Sequence, residues 1–324
     1  MPRPREDGIV IGTLDPGPRN SIADVGVTVG HVTVERTGVT AVIPPALPVP
    51  AGTAVLNGAG ELTGSLEIRE WGRLDTPVYL TSTHAVGRVY DGAVSVAMAA
   101  DPRVGVDDVV IPVVGECDDS WLSDARVKHV QPEDVARAVD GASADFEQGA
   151  VGAGAGMSCF DWKGGIGSAS RRAGEHTVGV LLLTNFGSSE QLRVGGVPVG
   201  QLLDEAPDEA PDPGGSCIAV AATDAPLTPP QLERLARRAG LGLARAGSVA
   251  HHGSGEIFVA FATSDARSFP DRELNPLFQA AVDATEEAVL CSLWAAVDTE
   301  GREGRLVRAL PREKVLEIYR RLGR

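Results

Sequence analysis

A chain of 324 residues, 43% hydrophobic but only 4% aromatic, is long enough to bury a substantial core of Ala, Val, Leu and Ile, which excludes a disordered or fibrous protein. Its formal net charge of −15 excludes the clustered basic surface that nucleic acid or an anionic membrane requires, and suits an amine-bearing small ligand. The opening MPRPREDGIVIG is too charged for a secretory signal and no window approaches the length of a membrane span, so a cytoplasmic protein without membrane or nucleic-acid partners is expected.

In chain order, GIVIG near 8–12, VTVGHVTVE near 27–35, GVTAVIP at 38–44 and TPVYLT at 76–81 carry β-branched or alternating apolar residues between Gly, Pro or Asp, and read as strands. From 84 to 100, Val86, Val89, Tyr90, Val94 and Ala97 recur at three- and four-residue steps and predict a helix. DDVVIPVVGE (107–116) reads as a buried strand, and PEDVARAV, with Pro132 at its start, as a short helix. The glycine-crowded GAVGAGAGMSCFDWKGGIGSASRR (149–172) is no dinucleotide fingerprint, because Met157 stands where the third glycine belongs. It reads as strands whose glycines let another backbone approach.

TVGVLLLTNFG (177–187) is a strand ending in Asn185, and SCIAVAATDAP is a strand after 215. PPQLERLARRAGLGLARAG predicts a helix capped by Thr228, with Leu232, Leu235, Ala236, Ala239 and Leu243 on one face. A hairpin over 248–263, a long helix near 275–297 and an amphipathic one near 312–322 complete the chain. Strands and helices come in runs instead of alternating, which predicts a mixed α+β layered sandwich forming one domain over 1–324, with 204–215 its one linker-like stretch.

No HExxH and no GxSxG elbow is present. Cys117, Cys159, Cys217 and Cys291 are scattered without a CxxC pair and read as small buried hydrophobes. His251 and His252 are adjacent, so on an extended chain they point to opposite faces, and no metal is expected. Another opening for chemistry lies at 204–222, DEAPDEAPDPGGSCIAVAA, where an acidic proline-spaced run meets an apolar strand at Gly215–Ser216, although composition alone favours a plain loop there. A serine hydroxyl is a weak nucleophile unless a base takes its proton. The α-amine of the same residue, with a pKa of about 7.7–8.0, is such a base once that residue is a chain terminus. Making that terminus requires cutting the bond before Ser216, and a glycine there accepts strained angles and leaves its carbonyl open to attack. An exposed loop before the cut frees the released end to move aside; the alternative is a plain surface loop between two strands.

The blocks GIVIGTLDPGPRNSIADV, RTGVTAVIP, VLNGAGELTG, STHAVGRV, GAGAGMSCFDWKGGIGSASR, LLLTNFG, GGSCIAVAATDAPL and GSVAHHGSGEIFVAF cover most of the chain. In this order they resemble the DmpA-like self-processing aminopeptidases, the L-aminopeptidase/D-esterases and β-peptidyl aminopeptidases. The resemblance implies an αββα layered sandwich like that of N-terminal nucleophile hydrolases. It implies self-cleavage between Gly215 and Ser216 into an α chain 1–215 and a β chain 216–324 that stay associated, with Ser216 the nucleophile. It also implies Asn185 as an oxyanion donor, Ser254 and Glu256 beside the nucleophile, no cofactor, and a homo-oligomer acting on short peptides or amino-acid amides and esters. Ser254 and Glu256 are two apart, so on a strand both reach one pocket. The block CDDSWLSD puts Trp121 where relatives carry a tyrosine in a WDGYL-like block, losing a hydroxyl and gaining a bulkier pocket wall. Two other readings stay open: an acyltransferase of the ornithine acetyltransferase type, similar in fold but using threonine, and an uncleaved non-catalytic scaffold.

Overall fold

The computed structural model describes residues 2–204, 215–267 and 269–322. The first half contributes β1 (Thr28–Val34), β2 (Thr37–Ile43), β3 (Val49–Gly58), α1 (Ser65–Trp71), β4 (Arg73–Leu74), β5 (Val78–Ser82), α2 (Val86–Ala100), β6 (Val113–Cys117) and α3 (Glu133–Asp140). The second contributes β7 (Ser158–Cys159), β8 (Trp162–Lys163), β9 (Ile166–Ala173), β10 (His176–Asn185), β11 (Ser216–Thr223), α4 (Pro229–Ala236), α5 (Arg238–Ala246), β12 (Gly255–Ala262), α6 (Leu274–Ala295) and α7 (Arg312–Leu322).

Alternation along the strands decides the layering. In β11, Ile218 and Val220 face one way with Leu181 of β10 and Val259 of β12, and meet Val42, Leu80 and Val113 of the other sheet. Cys217 and Ala219 face the opposite way, with Leu182 and Phe258, onto Leu232, Leu243, Ala284 and Leu293 of α4, α5 and α6. The outer face of the first sheet is covered in turn by Val89, Ala93, Val135 and Ala138 from α2 and α3. The result is the expected helix–sheet–sheet–helix sandwich. The first sheet runs β1-β2-β5-β6 and the second β4-β3-β12-β11-β10-β9. β11 lies at the centre of the second sheet, antiparallel to β10 and parallel to β12.

Local signals account for several boundaries. Thr228 caps α4 in a reciprocal box with Gln231, and Pro229 and Pro230 occupy positions whose N–H groups have no helical partner. The single helix expected over 229–247 is two, broken at Arg237. The break allows α5 to lie against α6 at Gly242, where a Cβ would stand 2.4 Å from Thr285 Cβ. From Ala280 to Trp294 α6 is buried all round, so its acidic residues are paired: Glu287 with Arg171 and Arg5, Asp283 and Glu286 with Arg245.

Three sequence expectations fail for identifiable reasons. Residues 8–12 form no strand, although Ile9 and Ile11 are buried, because the Ile11 carbonyl is satisfied by Arg171 Nη2 at 2.8 Å instead of by a ladder. The strand expected over 107–116 begins only at Val113, since Pro112 has no N–H to give and Val109 is turned outward, 71% exposed. No hairpin forms over 248–263: β12 is a single strand returned beside β11 through α4 and α5, and 248–254 folds back on itself with Ser254 N–H donating to His251 O at 2.8 Å. β3, which pairs with β12, carried too many breakers in PAGTAVLNG to register as a strand.

Candidate functional site

The candidate residues meet at the start of β11. Strand register sets Ser216 directly opposite Asn185, the last residue of β10, and opposite Gly255, the first of β12. Ser216 is buried, 7% exposed, at the N-terminal end of the central strand of the second sheet. The Gly255 N–H donates to two acceptors, Gly215 O at 3.2 Å and Ser216 Oγ at 3.3 Å. One backbone donor therefore touches both the carbonyl before the serine and the serine hydroxyl. Gly215 has no room for a side chain, because a Cβ would stand 1.9 Å from Asn185 O and 2.7 Å from Phe186 Cα. The acidic stretch that precedes it, 205–214, lies outside the described residues.

Asn185 holds one amide orientation. Its Oδ1 accepts from Ser158 N–H at 2.9 Å, and its Nδ2 donates to Asp118 O at 2.8 Å. A primary amide has two N–H groups, so one remains to serve a further acceptor. Ser254 Oγ donates to Glu256 Oε1, which joins the two residues that spacing had paired. Burial raises the Glu256 carboxyl above its ordinary value, and the bond from Ser254 opposes that shift. Its second oxygen, Oε2, is buried without a hydrogen-bond partner among the described residues.

Cys217, the residue after Ser216, is fully buried on the helix side. Burial, reinforced by the Glu256 charge, drives its thiol well above the usual range, so it is a poor source of thiolate. Trp121 is not the member of its segment that reaches Asn185; Asp118 is. Trp121 lies under the Arg305 guanidinium, 4.3 Å from the ring centroid, and its carbonyl accepts from Arg305 Nη1. His251 turns its ring Nε2 to Gln191 at 3.0 Å. Among the described residues no three His, Cys, Asp or Glu side chains are grouped to hold a metal ion.

Sequence reading passed over Glu116, at the end of β6 in the other sheet. Its Oε1 accepts from Glu61 N–H at 2.9 Å and its Oε2 from Thr83 Oγ1, and burial raises its carboxyl. Gly60 stands between it and the start of β12: a Cβ on Gly60 would be 3.1 Å from Glu116 Oε1 and 3.6 Å from Gly255 Cα. The available signal was an acid inside the apolar run VIPVVGEC, where an unpaired charge is costly and function is one reason to keep it.

Residues 20–307, nearly the whole chain, match the sequence profile of peptidase family S58. The chain belongs to this family. Among S58-like relatives, the β-peptidyl aminopeptidase BapA of Sphingosinicella microcystinivorans is 40% identical, with 99% of this chain and 93% of the relative covered. Two solved structures superpose over the whole chain. A β-aminopeptidase from a Burkholderia species is 40% identical with a TM-score of 0.93, covering 99% of that chain. The L-aminopeptidase D-Ala-esterase/amidase of Ochrobactrum anthropi, described as a variant of the Ntn hydrolase fold, is 36% identical with a TM-score of 0.92, also covering 99%. The S58 chain described here shares that fold and is a peptidase, as the sequence resemblance implied. No helix among its described residues is long and apolar enough to cross a membrane.

Proposed function

We propose that this protein is a self-processing aminopeptidase that removes the N-terminal residue from short peptides and from amino-acid amides or esters, through an acyl-enzyme on Ser216. The observation that carries the reading is the shared Gly255 N–H, bonded to both Gly215 O and Ser216 Oγ. In the uncut chain Ser216 Oγ attacks the Gly215 carbonyl carbon, and the developing oxyanion keeps the Gly255 donor. The C–N bond breaks as the nitrogen takes a proton, leaving an ester. Water hydrolyses it to a Gly215 carboxylate and a Ser216 with a free α-amine and a restored hydroxyl.

Turnover then repeats this chemistry on a substrate. The α-amine accepts the Ser216 hydroxyl proton as Oγ attacks the substrate carbonyl, and returns it to the leaving amine. The oxyanion is met by Gly255 N–H and the spare N–H of Asn185. Water resolves the acyl-enzyme, and neither step calls on a cofactor. Glu256, one register step along from Ser216 and bonded to Ser254, is assigned to the terminal amine, with Ser254 relaying a proton. Glu116, a buried carboxylate at the Gly60 approach, is assigned to the free amine of the substrate, which an aminopeptidase has to recognise. The relatives named as β-peptidyl aminopeptidase and L-aminopeptidase support this substrate class. The α and β chains are taken to stay associated in a cytoplasmic homo-oligomer.

The test is hydrolysis of amino-acid p-nitroanilides with and without an added acyl-accepting amine. Release of p-nitroaniline without acceptor is expected; strict dependence on the acceptor would make the protein a transferase. Asn185→Ala is expected to lower kcat by about 10²–10³ with a smaller change in KM. Glu256→Gln is expected to lower kcat and to move the acid limb of kcat/KM to lower pH. The sign follows from charge: a nearby carboxylate favours the protonated α-amine, and the neutral amide withdraws that support, so the base is freed at lower pH. An unmoved limb would separate Glu256 from the terminal amine.

A further inference from the structure

The glycine-crowded stretch that no cofactor motif explains is tied together from inside by a fully buried lysine. Lys163 is 0% exposed, and its Nζ donates to Met157 O at 2.7 Å, Gly164 O at 3.0 Å and Gly154 O at 3.1 Å. An ammonium has three N–H donors, so every one is used on a backbone carbonyl, and those carbonyls lie at both ends of the loop. Among the described residues no carboxylate forms an ion pair with it. Burial pulls Lys163 down to about 7, with Arg36 acting the same way and Asp119 opposing. A neutral amine, with two N–H groups, would leave one of the three carbonyls unpaired, so the loop is fully satisfied only by the charged form.

What this loop presents is the support of the oxyanion donor. Lys163 on β8 lies directly across from Ser158 on β7, and Ser158 N–H is the group that fixes Asn185 Oδ1. Phe160 N–H, in the turn between those strands, donates to Phe186 O at 2.7 Å and pins the same corner to the residue after Asn185. Gly164 N–H also bonds Met157 O, and Gly165 N–H and O both engage the Thr184 hydroxyl, one residue before Asn185. The lysine and the oxyanion donor are thus two bonds apart through a single strand pair.

We propose that Lys163 is a positioning residue for the reaction: by gathering the carbonyls of Gly154, Met157 and Gly164 it sets the Ser158 N–H that orients the Asn185 amide, so that Nδ2 and not Oδ1 meets the oxyanion. A carbonyl oxygen turned toward an oxyanion repels it, so losing this orientation acts on the transition state and leaves substrate binding nearly intact. The proposal rests on the assignment of Asn185 to the oxyanion.

A double-mutant cycle tests it, with kcat counted per free Ser216 terminus so that the cleaved fraction does not enter. Lys163→Met is expected to lower kcat by up to about 10²-fold with KM within about twofold. In an Asn185→Ala background the same substitution is expected to change kcat by less than about threefold, because the group it orients is gone. Equal losses in both backgrounds would make Lys163 a support of the fold only, and no loss in the wild-type background would dispose of the role outright. Asn185→Ala alone tests the assignment beneath: wild-type kcat in that single variant removes Asn185 from the oxyanion, an outcome distinct from an additive cycle. If Lys163→Met does not fold, Lys163→Gln, which keeps two donors, carries the same cycle; failure of both to fold assigns the lysine to folding and overturns the proposal.

Discussion

Ser216→Ala is expected to run as one polypeptide of the full 33.6 kDa on a denaturing gel, while the wild-type chain separates into two fragments, the smaller beginning at Ser216. Two losses combine in this variant. Without Oγ there is nothing to attack the Gly215 carbonyl, so the bond stays intact. Without the cut there is no α-amine to act as base, so removing one atom removes both nucleophile and base. Turnover of p-nitroanilides is expected to fall on the order of 10⁶-fold, as for other covalent catalysts stripped of their nucleophile. The fold should survive, since Ser216 contributes one long bond from Gly255 and its neighbours Cys217 and Ile218 keep their core contacts. Intact mass and N-terminal sequencing read the result, and a wild-type chain that stays in one piece would sink the mechanism.

Gly215→Ala is expected to accumulate the uncut chain with Ser216 still present. The methyl would stand 1.9 Å from Asn185 O, far inside any contact distance, and the obstacle is strand backbone, which cannot swing aside as a side-chain end does. The residue must move outward, which takes its carbonyl off the Gly255 N–H that polarises it. Displacement by about 1 Å at a reacting centre costs on the order of 10²-fold, so fragments should appear at least that much more slowly after refolding. Fragments appearing at the wild-type rate would show that the carbonyl position does not govern the cut. Far-UV circular dichroism separates this outcome from misfolding, because the strain is confined to the strand entry.

Much of the site was legible because its parts are local. Asn185 stands out as the polar end of an apolar strand, whereas Ser254 and Glu256 were singled out by the resemblance, their spacing of two saying only that they share a strand face. The serine beside a glycine at an abrupt change of composition suggested a cut, and the ordered blocks of the resemblance raised that suggestion above a plain loop. A layered α+β sandwich was anticipated too, since alternating strands and one-faced helices have to bury their apolar sides against each other, and the resemblance supplied the order of its four layers. Where local pattern misled, a long-range partner had intervened. Ile11 looks like a strand residue, yet its carbonyl is taken by Arg171 from 160 residues away.

Sequence alone determined where most helices and strands lie and which of their faces turn inward, because period, caps and side-chain type are written residue by residue. Tertiary structure alone decided what stands next to what. The parallel pairing of β11 with β12 brings Gly255 N–H to Ser216, and a backbone donor has no letter in the sequence. The meeting of the two sheets brings Glu116 to the Gly60 approach, and a ring of three carbonyls turns Lys163 into the brace beneath Asn185. Each depends on strand register, and a slip of one residue would send every side chain to the other face, so these contacts exist only once the whole sheet has closed.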